Sequence, residues 1–525
     1  MIRFVAAVLL VLSYLLQTVS ADVTDSEECE TVIPLKVAPP RFGNLQRMEP
    51  GQRQVGSPVS EPPQDIVPFA LRATAAAIAL QPDGKMVVAG TAGYDLALIR
   101  YNTDGSLDST FGTAGIITTR AGVSLPQQPS TIDIPRLYFD TVSSLKLQAD
   151  GKIIIGGSAA DANPANTLYP DRRFFMARLN ASGRLDDTFG KNGKSTPYFS
   201  TGGMVLASLP DDKILAAMGS IEKLSLVRLH SIGLVDLSFG DNGVVNFTPQ
   251  ALPIVDSLLE RILPNRKPSL AVLRTIDSWQ PEFALLRYTR SGASATMLPL
   301  ARQSSDQFGS GRGAIAVGGN QLSLQTAKLI KDGQVVVGGF VSRPDGRGED
   351  AALARYNQEG TVDLKFGTAG IASVSYDEFF LKNKQEGLFY DSTYYCRGFC
   401  QVIEQDDGKI VAAASQMHRN FALVRFLVDG TRDPSFGTNG KILTSIGSQG
   451  DIAGALALQP DGKIVLAGTC GNALHTNIAL IRYNIDGSLD STFGRGGKVT
   501  TRVGPKIYDR SLFRVVAPLS FIAGM

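Results

Sequence analysis

The sequence of 525 residues is poor in the side chains that most often carry out catalysis or bind transition metals, with three histidines, four cysteines and one tryptophan. It also lacks an excess of one charge sign, because 51 basic residues nearly balance 49 acidic residues. A non-specific nucleic-acid-binding protein needs a basic stripe, so no nucleic-acid partner is expected. The 54 glycines are abundant instead, as in β structure that is rich in tight turns.

Residues 1–21 have the features of a signal peptide, and their apolar run, 4–16, is shorter than the roughly 20 residues of a membrane-spanning helix. Arg3 precedes an apolar core, and the small residues Val19 and Ala21 stand where a signal peptidase cleaves. We predict cleavage after Ala21 and a secreted or periplasmic protein, and the alternative is an uncleaved anchor. No later segment is long and apolar enough to span a bilayer, so no stable membrane insertion is expected. Residues 22–70 are polar and rich in proline, which predicts a linker or tail.

An internal repeat dominates the rest of the chain. The stretch IALQPDGKMVVAGT at 78–91 returns as LALQPDGKIVLAGT at 456–469. Each stretch contains two short apolar segments typical of strands, joined by an Asp-Gly turn that suits a hairpin. Two further strand-like segments follow the first copy, LALIRYN and GIITT. The repeat therefore predicts units of four antiparallel strands.

Seven such units can be aligned on an arginine in the third strand and a following Phe-Gly pair. The arginines are Arg100, Arg178, Arg228, Arg287, Arg355, Arg425 and Arg482. The phenylalanines are Phe111, Phe189, Phe239, Phe308, Phe366, Phe436 and Phe493. The fourth unit is degenerate, since it lacks the Asp-Gly turn and residues 293–305 look inserted before its Phe-Gly.

A four-stranded unit has two faces to bury and cannot bury them alone. Stacking seven units around an axis solves this problem, so residues 71–505 predict an all-β fold, a seven-bladed β-propeller of four-stranded antiparallel blades. A parallel solenoid is the alternative, but its rungs would be shorter and would lack a hairpin in every unit. Residues 506–525 resemble another first strand, and we expect them to close the ring. The alternative is a membrane-seeking tail, which is too short to span a bilayer.

The motif LQPDGKIVLAGT, followed by ALIRYNIDGSLDSTFGRGGKVTT, resembles the delta-60 repeat family. The resemblance covers roughly residues 71–503. It implies the β-propeller architecture found in bacterial surface and exported proteins, and it implies no particular substrate, because the family has no shared activity.

The recurring arginine is followed eight residues later by an aspartate in six units. These aspartates are Asp108, Asp186, Asp236, Asp363, Asp433 and Asp490. We predict an ion pair within each unit that orients the turn between the third and fourth strands, because one copy in every unit is what a structural role requires. The alternative is a ring of ligand-binding arginines.

The turns NTDGSLD and NIDGSLD place oxygen-bearing side chains at alternate positions around a glycine, as calcium loops do. Asp104 and Asp108 in the first unit, and Asp486 and Asp490 in the seventh, are the candidate ligands. Calcium is therefore a possible cofactor, and the sequence indicates no other. The alternative is an ordinary hairpin turn, which favours Asp-Gly equally well.

The four cysteines can form disulfides in an exported chain. Cys396 and Cys400 could pair locally, which would leave Cys29 for Cys470, but the sequence does not fix the connectivity. A zinc site at Cys396 and Cys400 is disfavoured, because no histidine lies at ligand spacing from the pair.

Two aromatic segments break the symmetry of the repeat. The long connection around residues 374–396 and the fourth unit supply Trp279, Tyr376, Phe380, Tyr390, Tyr394 and Tyr395 as candidate ligand-binding residues. Such residues are common in surfaces that bind proteins or sugars. The alternative is that they pack the connections onto the ring.

No catalytic residues can be assigned, since the sequence contains neither a Gly-x-Ser-x-Gly nor a Walker motif. We therefore expect a monomeric, exported scaffold that binds a protein or glycan partner through its loops, and not an enzyme. The alternative is a hydrolase or lyase with its site in the central funnel, by analogy with other propellers.

Overall fold

The computed structural model describes the chain in segments separated by gaps. The described residues are 73–93, 95–119, 141–160, 172–195, 204–209, 212–219, 224–247, 254–261, 269–277, 280–288, 295–299, 314–317, 320–342, 349–358, 361–375, 398–416, 420–446, 451–471 and 476–503. Between 254 and 317 only the backbone is described. The predicted signal peptide, linker and ring-closing segment 506–525 lie outside these residues.

The described residues form seven antiparallel sheets, six with four strands and one with five. Sheet 1 contains β1 (Ala73–Leu80), β2 (Met86–Ala92), β3 (Asp95–Tyr101) and β4 (Ile116–Thr119). Sheet 2 contains β5 (Thr141–Leu147), β6 (Ile153–Ala160), β7 (Arg172–Leu179) and β8 (Lys194–Ser195). Sheet 3 contains β9 (Met204–Ser208), β10 (Ile214–Gly219), β11 (Leu224–Leu229) and β12 (Val244–Phe247). Sheet 4 contains β13 (Ile254–Arg261), β14 (Ser269–Asp277), β15 (Gln280–Tyr288) and β16 (Ala295–Pro299).

The remaining three sheets repeat this order. Sheet 5 contains β17 (Ala314–Val317), β18 (Asn320–Leu329), β19 (Val335–Ser342), β20 (Glu349–Tyr356) and β21 (Ile371–Val374), with a 3₁₀ turn at Lys331–Gly333. Sheet 6 contains β22 (Phe399–Glu404), β23 (Ile410–Gln416), β24 (Asn420–Phe426) and β25 (Lys441–Thr444). Sheet 7 contains β26 (Ile452–Leu458), β27 (Ile464–Gly471), β28 (Thr476–Tyr483) and β29 (Lys498–Thr501). No helix among the described residues has the length and apolar character that crossing a membrane requires.

The Asp-Gly hairpin predicted between the first two strands is present. In sheet 1 the Gly84 amide donates to the Gln81 carbonyl at 2.9 Å, and the Gln81 amide donates to the Lys85 carbonyl at 2.8 Å. Gly84 has φ +82, a left-handed conformation that glycine adopts without steric cost. The sequence therefore uses Asp-Gly at this point because the backbone geometry requires it.

The fourth unit departs from the predicted alignment. Its fourth strand, β16, ends at Pro299 and pairs with β15, so it precedes Phe308 in the chain. In the other units the Phe-Gly pair precedes the fourth strand. The prediction that Phe308 is equivalent to the other six phenylalanines is therefore wrong. The link between β15 and β16 contains only the six residues 289–294, whereas the corresponding link in sheet 1 is the longer segment 102–115.

Sheet 5 has β17 as an additional strand, so β18 to β21 are counted as its first to fourth strands below. The first strands of the sheets lie against one another in chain order, β1 against β5, β5 against β9, and so on to β22 against β26. The series then returns to its start, because β26 lies against β1. Apolar side chains of sheets 7 and 1 share one hydrophobic cluster that includes Val88, Ile99, Leu480 and Phe493. The first strands thus form a continuous series of neighbours, and the space beside this series is called the central channel below.

A buried tyrosine at the end of a third strand marks the contact between sheets. The Tyr101 hydroxyl of sheet 1 lies 2.8 Å from Thr501 Oγ1 of sheet 7. The Tyr483 hydroxyl of sheet 7 lies 2.8 Å from Thr444 Oγ1 of sheet 6. The junction between the last sheet and the first is therefore built like the junction between two consecutive sheets.

The two faces of the ring differ. Links between strands one and two, and between strands three and four, lie on what we call the turn face. Links between strands two and three, and from one sheet to the next, lie on the opposite connection face. Outside sheet 4, turn-face links always have the lengths seen in sheet 1, residues 81–85 and residues 102–115. Connection-face links vary from two residues, 93–94, to the long segment 375–398.

Candidate functional site

The aromatic candidates for ligand binding lie outside the described residues, and the backbone on either side shows where their segments attach. Residues 375–398 leave β21 and return at β22, and residues 278–279 join β14 to β15. Both links begin and end on the connection face. The topology therefore attaches Trp279 and the tyrosine-rich segment to the same face of the ring, although they come from different sheets. The individual residues are Trp279, Tyr376, Phe380, Tyr390, Tyr394 and Tyr395.

The predicted arginine–aspartate pair is present in six sheets. The arginine Nε lies 2.7–2.9 Å from Oδ2 of the aspartate eight residues later. The pairs are Arg100 with Asp108, Arg178 with Asp186, Arg228 with Asp236, Arg355 with Asp363, Arg425 with Asp433 and Arg482 with Asp490. The side chain of Arg287 in sheet 4 is not described.

Each of these pairs belongs to a larger set of contacts, which we call the rim network and illustrate with sheet 1. Arg100 also donates to Thr110 Oγ1 at 3.0 Å, and its guanidinium carbon lies 4.6 Å from the centre of the Phe111 ring. The Thr110 amide and hydroxyl donate to Asp108 Oδ1 at 3.0 and 2.6 Å. The Phe-Gly motif thus supplies a ring beneath the arginine, a favourable cation–π arrangement.

The lysine of the Asp-Gly turn is a member of the rim network that the sequence analysis missed. Lys85 Nζ lies 2.8 Å from Asp108 Oδ2, and Lys463 Nζ lies 3.0 Å from Asp490 Oδ2. Gln334 takes this place in sheet 5, where its Nε2 lies 3.5 Å from Asp363 Oδ2. The recurrence of lysine after Asp-Gly was the available signal. The same contact is made by Lys152, Lys213 and Lys409.

The rim network keeps its aspartates ionised. The hydrogen bond from the Thr188 hydroxyl is the main cause that lowers the pKa of Asp186 to about 2, and the Arg178 charge acts in the same direction against the effect of burial. Burial opposes ionisation of Asp433, but hydrogen bonds from Ser435 and the Arg425 charge outweigh it and lower the pKa to about 2. Each carboxylate is therefore a fixed negative charge at neutral pH.

The rim network also joins neighbouring sheets. Arg100 Nη1 donates to the Ala181 carbonyl of sheet 2, and the Gly112 amide donates to the Ser182 carbonyl at 3.1 Å. Equivalent arginine contacts run from sheet 2 to sheet 3, from sheet 5 to sheet 6 and from sheet 6 to sheet 7. These contacts show that the recurring arginines hold adjacent turns together.

The same contacts connect the last sheet to the first. Arg482 Nη1 donates to the Thr103 carbonyl, and the Gly494 amide donates to the Asp104 carbonyl at 2.7 Å. The Ala73 amide donates to Thr476 Oγ1 at 2.7 Å. Sheets 1 and 7 are thus joined by groups that are more than 370 positions apart in the sequence.

The four candidate calcium ligands have two different roles. Asp104 and Asp486 are turn residues whose Oδ1 atoms accept hydrogen bonds from the amide and hydroxyl of Ser106 and Ser488. Asp108 and Asp490 are nearly buried and each contacts two cationic side chains. Among the residues that the structure describes, no three acidic, histidine or cysteine side chains form a group suited to a metal ion. Calcium binding stays a prediction.

Two of the four cysteines are described. Cys470 is fully buried on β27, and Cys400 packs against the same hydrophobic cluster from β22. Cys29 and Cys396 lie outside the described residues, so the predicted pairing stays a prediction.

The inner edge of the ring contains two further charged residues that the sequence analysis did not select. Lys146 on β5 and Lys328 on β18 are half-buried residues of the strands that border the central channel. Burial lowers the pKa of both ammonium groups. The positive charge of Lys328 lowers the pKa of Lys146 further, although the two residues belong to sheets 2 and 5. The two ammonium groups are therefore close enough to repel each other.

Comparison with known proteins supports the repeat assignment. The family model described as "Domain of unknown function (DUF5122) beta-propeller" matches residues 81–111, 148–189, 331–366, 405–436 and 459–493. Each matched segment begins in or just before the Asp-Gly turn and ends at the phenylalanine of the rim network. The matches support a β-propeller repeat family, and they do not specify the delta-60 repeat. A comparison with curated proteins finds no match.

The structure comparison matches solved structures of a polysaccharide lyase, a glycoside hydrolase and a prolyl oligopeptidase. Polysaccharide lyase Uly1 is 10% identical with a TM-score of 0.39, over 78% of this chain and 90% of that chain. A thermostable family-43 glycoside hydrolase is 10% identical with a TM-score of 0.28, over 58% of this chain and 96% of that chain. Prolyl oligopeptidase B from Galerina marginata is 9% identical with a TM-score of 0.35, over 78% of this chain and 46% of that chain. Similarity at this level transfers no activity to the present chain, and the family-model matches identify its architecture as a β-propeller repeat fold.

Proposed function

We propose that this chain is an exported, monomeric seven-bladed β-propeller, located in the periplasm or outside the cell, which binds a protein or glycan partner through its connection face. The seven sheets would be the blades, closed by the contacts between sheets 7 and 1. The rim network supports a rigid ring, because its arginines bind an aspartate of their own sheet and a backbone carbonyl of the next sheet.

The observation that carries the binding proposal is the concentration of length variation on one face. Turn-face links are uniform in six sheets, whereas connection-face links range from the two residues 93–94 to the long segment 375–398. Binding residues are commonly found on variable loops that a rigid scaffold positions. The link 375–398 and the link with Trp279 both attach to this face, and they bring the aromatic residues expected in a protein or sugar interface.

The test is binding of the secreted protein to an array of polysaccharides, with two changes in the connection face. One variant replaces residues 376–396 with a short Gly-Ser linker, and the other is Trp279→Ala. The matched control replaces residues 121–139, a connection-face link without this density of aromatic residues. We expect at least one arrayed glycan to bind the wild-type and control proteins and to bind both test variants at least tenfold more weakly.

If no arrayed glycan binds, cross-linking of the biotinylated protein to cell-surface proteins tests the other partner class with the same variants. Equal binding by the wild type and both test variants would contradict the proposal. The alternative function is that of a hydrolase or lyase with its site in the central channel.

A further inference from the structure

The strand register defines a row of residues at the inner edge of the ring. In each sheet, the recurring arginine of the third strand pairs through the second strand with one residue of the first strand; in sheet 2, Arg178 pairs with Ile154, which pairs with Lys146. We call the first-strand residues at this register the inner row. They are Ala79, Lys146, Ala207, Arg261, Lys328, Ile403 and Ala457.

The residue type varies along the inner row, whereas the third-strand position at the same register is an arginine in all seven units. These seven arginines are called the outer arginines. Three of its seven members are basic, at sheets 2, 4 and 5, and the others are alanine or isoleucine. A residue needed for packing in every blade recurs in every blade, as the outer arginines do. The basic residues of the inner row are therefore not explained by the repeat itself.

Lys146 and Lys328 face an environment that is unfavourable for two cations. Burial lowers the pKa of each, and they repel each other across the channel. Among the residues that the structure describes, no hydrogen bond or ion pair joins either ammonium group to a partner. The carboxylate of Glu404 is near enough to raise the pKa of Lys328, but its Oε2 accepts the Lys331 amide at 2.7 Å.

A partly desolvated pair of like charges costs free energy unless a counter-charge compensates it. A small anion between the two ammonium groups would supply that counter-charge. Lysine is well suited to this role, because its ammonium group donates up to three hydrogen bonds and its stem is flexible. The half-buried side chains remain accessible to solvent, so a ligand can reach them.

We propose that the central channel binds the anionic group of a small ligand, a carboxylate, phosphate or sulfate, between Lys146 and Lys328. Arg261 occupies the equivalent register position in sheet 4. This proposal concerns the inner edge of the ring and does not depend on the partner of the connection face.

The experiment is isothermal titration calorimetry of the full secreted protein with inorganic phosphate, sulfate and glucuronate at constant ionic strength, with glucose as the uncharged counterpart of glucuronate. The variants are Lys146→Met, Lys328→Met and the double variant, which keep the apolar stem and remove the charge. Lys191→Met removes an exposed charge of the same sheet as Lys146 and serves as the control. We expect saturable binding of at least one anion, a loss of at least tenfold in each single variant and no measurable binding in the double variant.

Binding of glucuronate alone would identify a carboxylate ligand. Binding of phosphate or sulfate would identify a phosphate or sulfate group as the ligand. The control should bind like the wild type, and Lys328→Arg should retain binding because it retains the charge. The proposal is overturned if the wild type binds none of the three anions saturably, or if the double variant binds as the wild type does. Should the double variant not fold, mass-spectrometric acylation of the wild type gives a second test: the bound anion should protect Lys146 and Lys328, but not Lys191, from labelling.

Discussion

The turn face and the connection face are made from the same seven repeats, yet they have opposite characters. Outside sheet 4, the turn face keeps link lengths constant and repeats one arginine, one aspartate and one phenylalanine in every sheet. The connection face keeps no length constant. The difference teaches that repetition marks the contacts that hold the ring together, and that departures from repetition are where binding should be sought.

The largest effect is expected on the turn face at the junction of sheets 7 and 1. Asp490→Ala leaves Arg482 and Lys463 without their common carboxylate, whose side chain is only 5% exposed. Removing one partner of a buried ion pair costs about 3–5 kcal/mol. Urea unfolding should show this loss, whereas the control Asp486→Ala, at an exposed turn, should lose about 1 kcal/mol or less. Similar losses for the two variants would contradict the structural role of the rim network.

A second effect concerns close packing at the same junction. Gly454 lies at the bulge of β26, and a Cβ atom there would be 2.0 Å from the Ala75 carbonyl oxygen of sheet 1. Gly454→Val should therefore push the two sheets apart and destabilise the protein by about 1–3 kcal/mol, as overpacking does. Gln325→Ala, at the equivalent bulge of β18, is the control and should be much milder. Unchanged urea stability of Gly454→Val would show that sheets 7 and 1 do not touch in solution.

The free energy of unfolding at acidic pH should depend on the aspartates of the rim network. A carboxyl group whose pKa is lowered by folding stabilises the native state above its unfolded-state pKa of 3.8, and this contribution is lost as the pH falls through the folded-state value. Because Asp186 and Asp433 have folded-state pKa values of about 2, stability should decline between pH 3.8 and about pH 2.

Thr188→Val removes the main hydrogen bond to Asp186 and should cost about 1 kcal/mol at pH 7. Urea titrations from pH 2 to pH 7 measure both effects, and a variant as stable as the wild type at pH 7 would contradict the account.

The smallest effect is expected from calcium. Asp108 and Asp490 already contact an arginine and a lysine each, so a calcium ion would have to displace two cations. Adding calcium or a chelator should shift the melting temperature by about 1 °C or less, as expected when a ligand does not bind the native state. A larger shift that Asp104→Ala and Asp486→Ala abolish would restore the calcium hypothesis.

Local patterns in the sequence predict much of the fold. Short apolar segments separated by Asp-Gly turns predict the four-stranded sheets, and the spacing from Arg100 to Asp108 predicts the ion pair. The fourth unit is the exception, because Phe308 imitates the motif but follows β16. A dipeptide does not reveal on which side of a strand it lies when the flanking turn is degenerate.

The contacts that cross between sheets were harder to predict. Arg482 reaches the Thr103 carbonyl, and backbone acceptors carry no sequence signal. The inner row was missed because Lys146 and Lys328 stand out only when the units are compared at one register. The aromatic candidates remain a prediction, since their segments lie outside the described residues.

The most direct test of the closed ring is a pair of double-mutant cycles measured by urea unfolding. One cycle combines Tyr101→Phe with Thr501→Val across sheets 1 and 7, and the other combines Tyr483→Phe with Thr444→Val across sheets 7 and 6. If the last sheet packs on the first as consecutive sheets do, both cycles should give a coupling energy of about 1 kcal/mol. A coupling near zero for Tyr101 and Thr501, with normal coupling for Tyr483 and Thr444, would show that the ring is open.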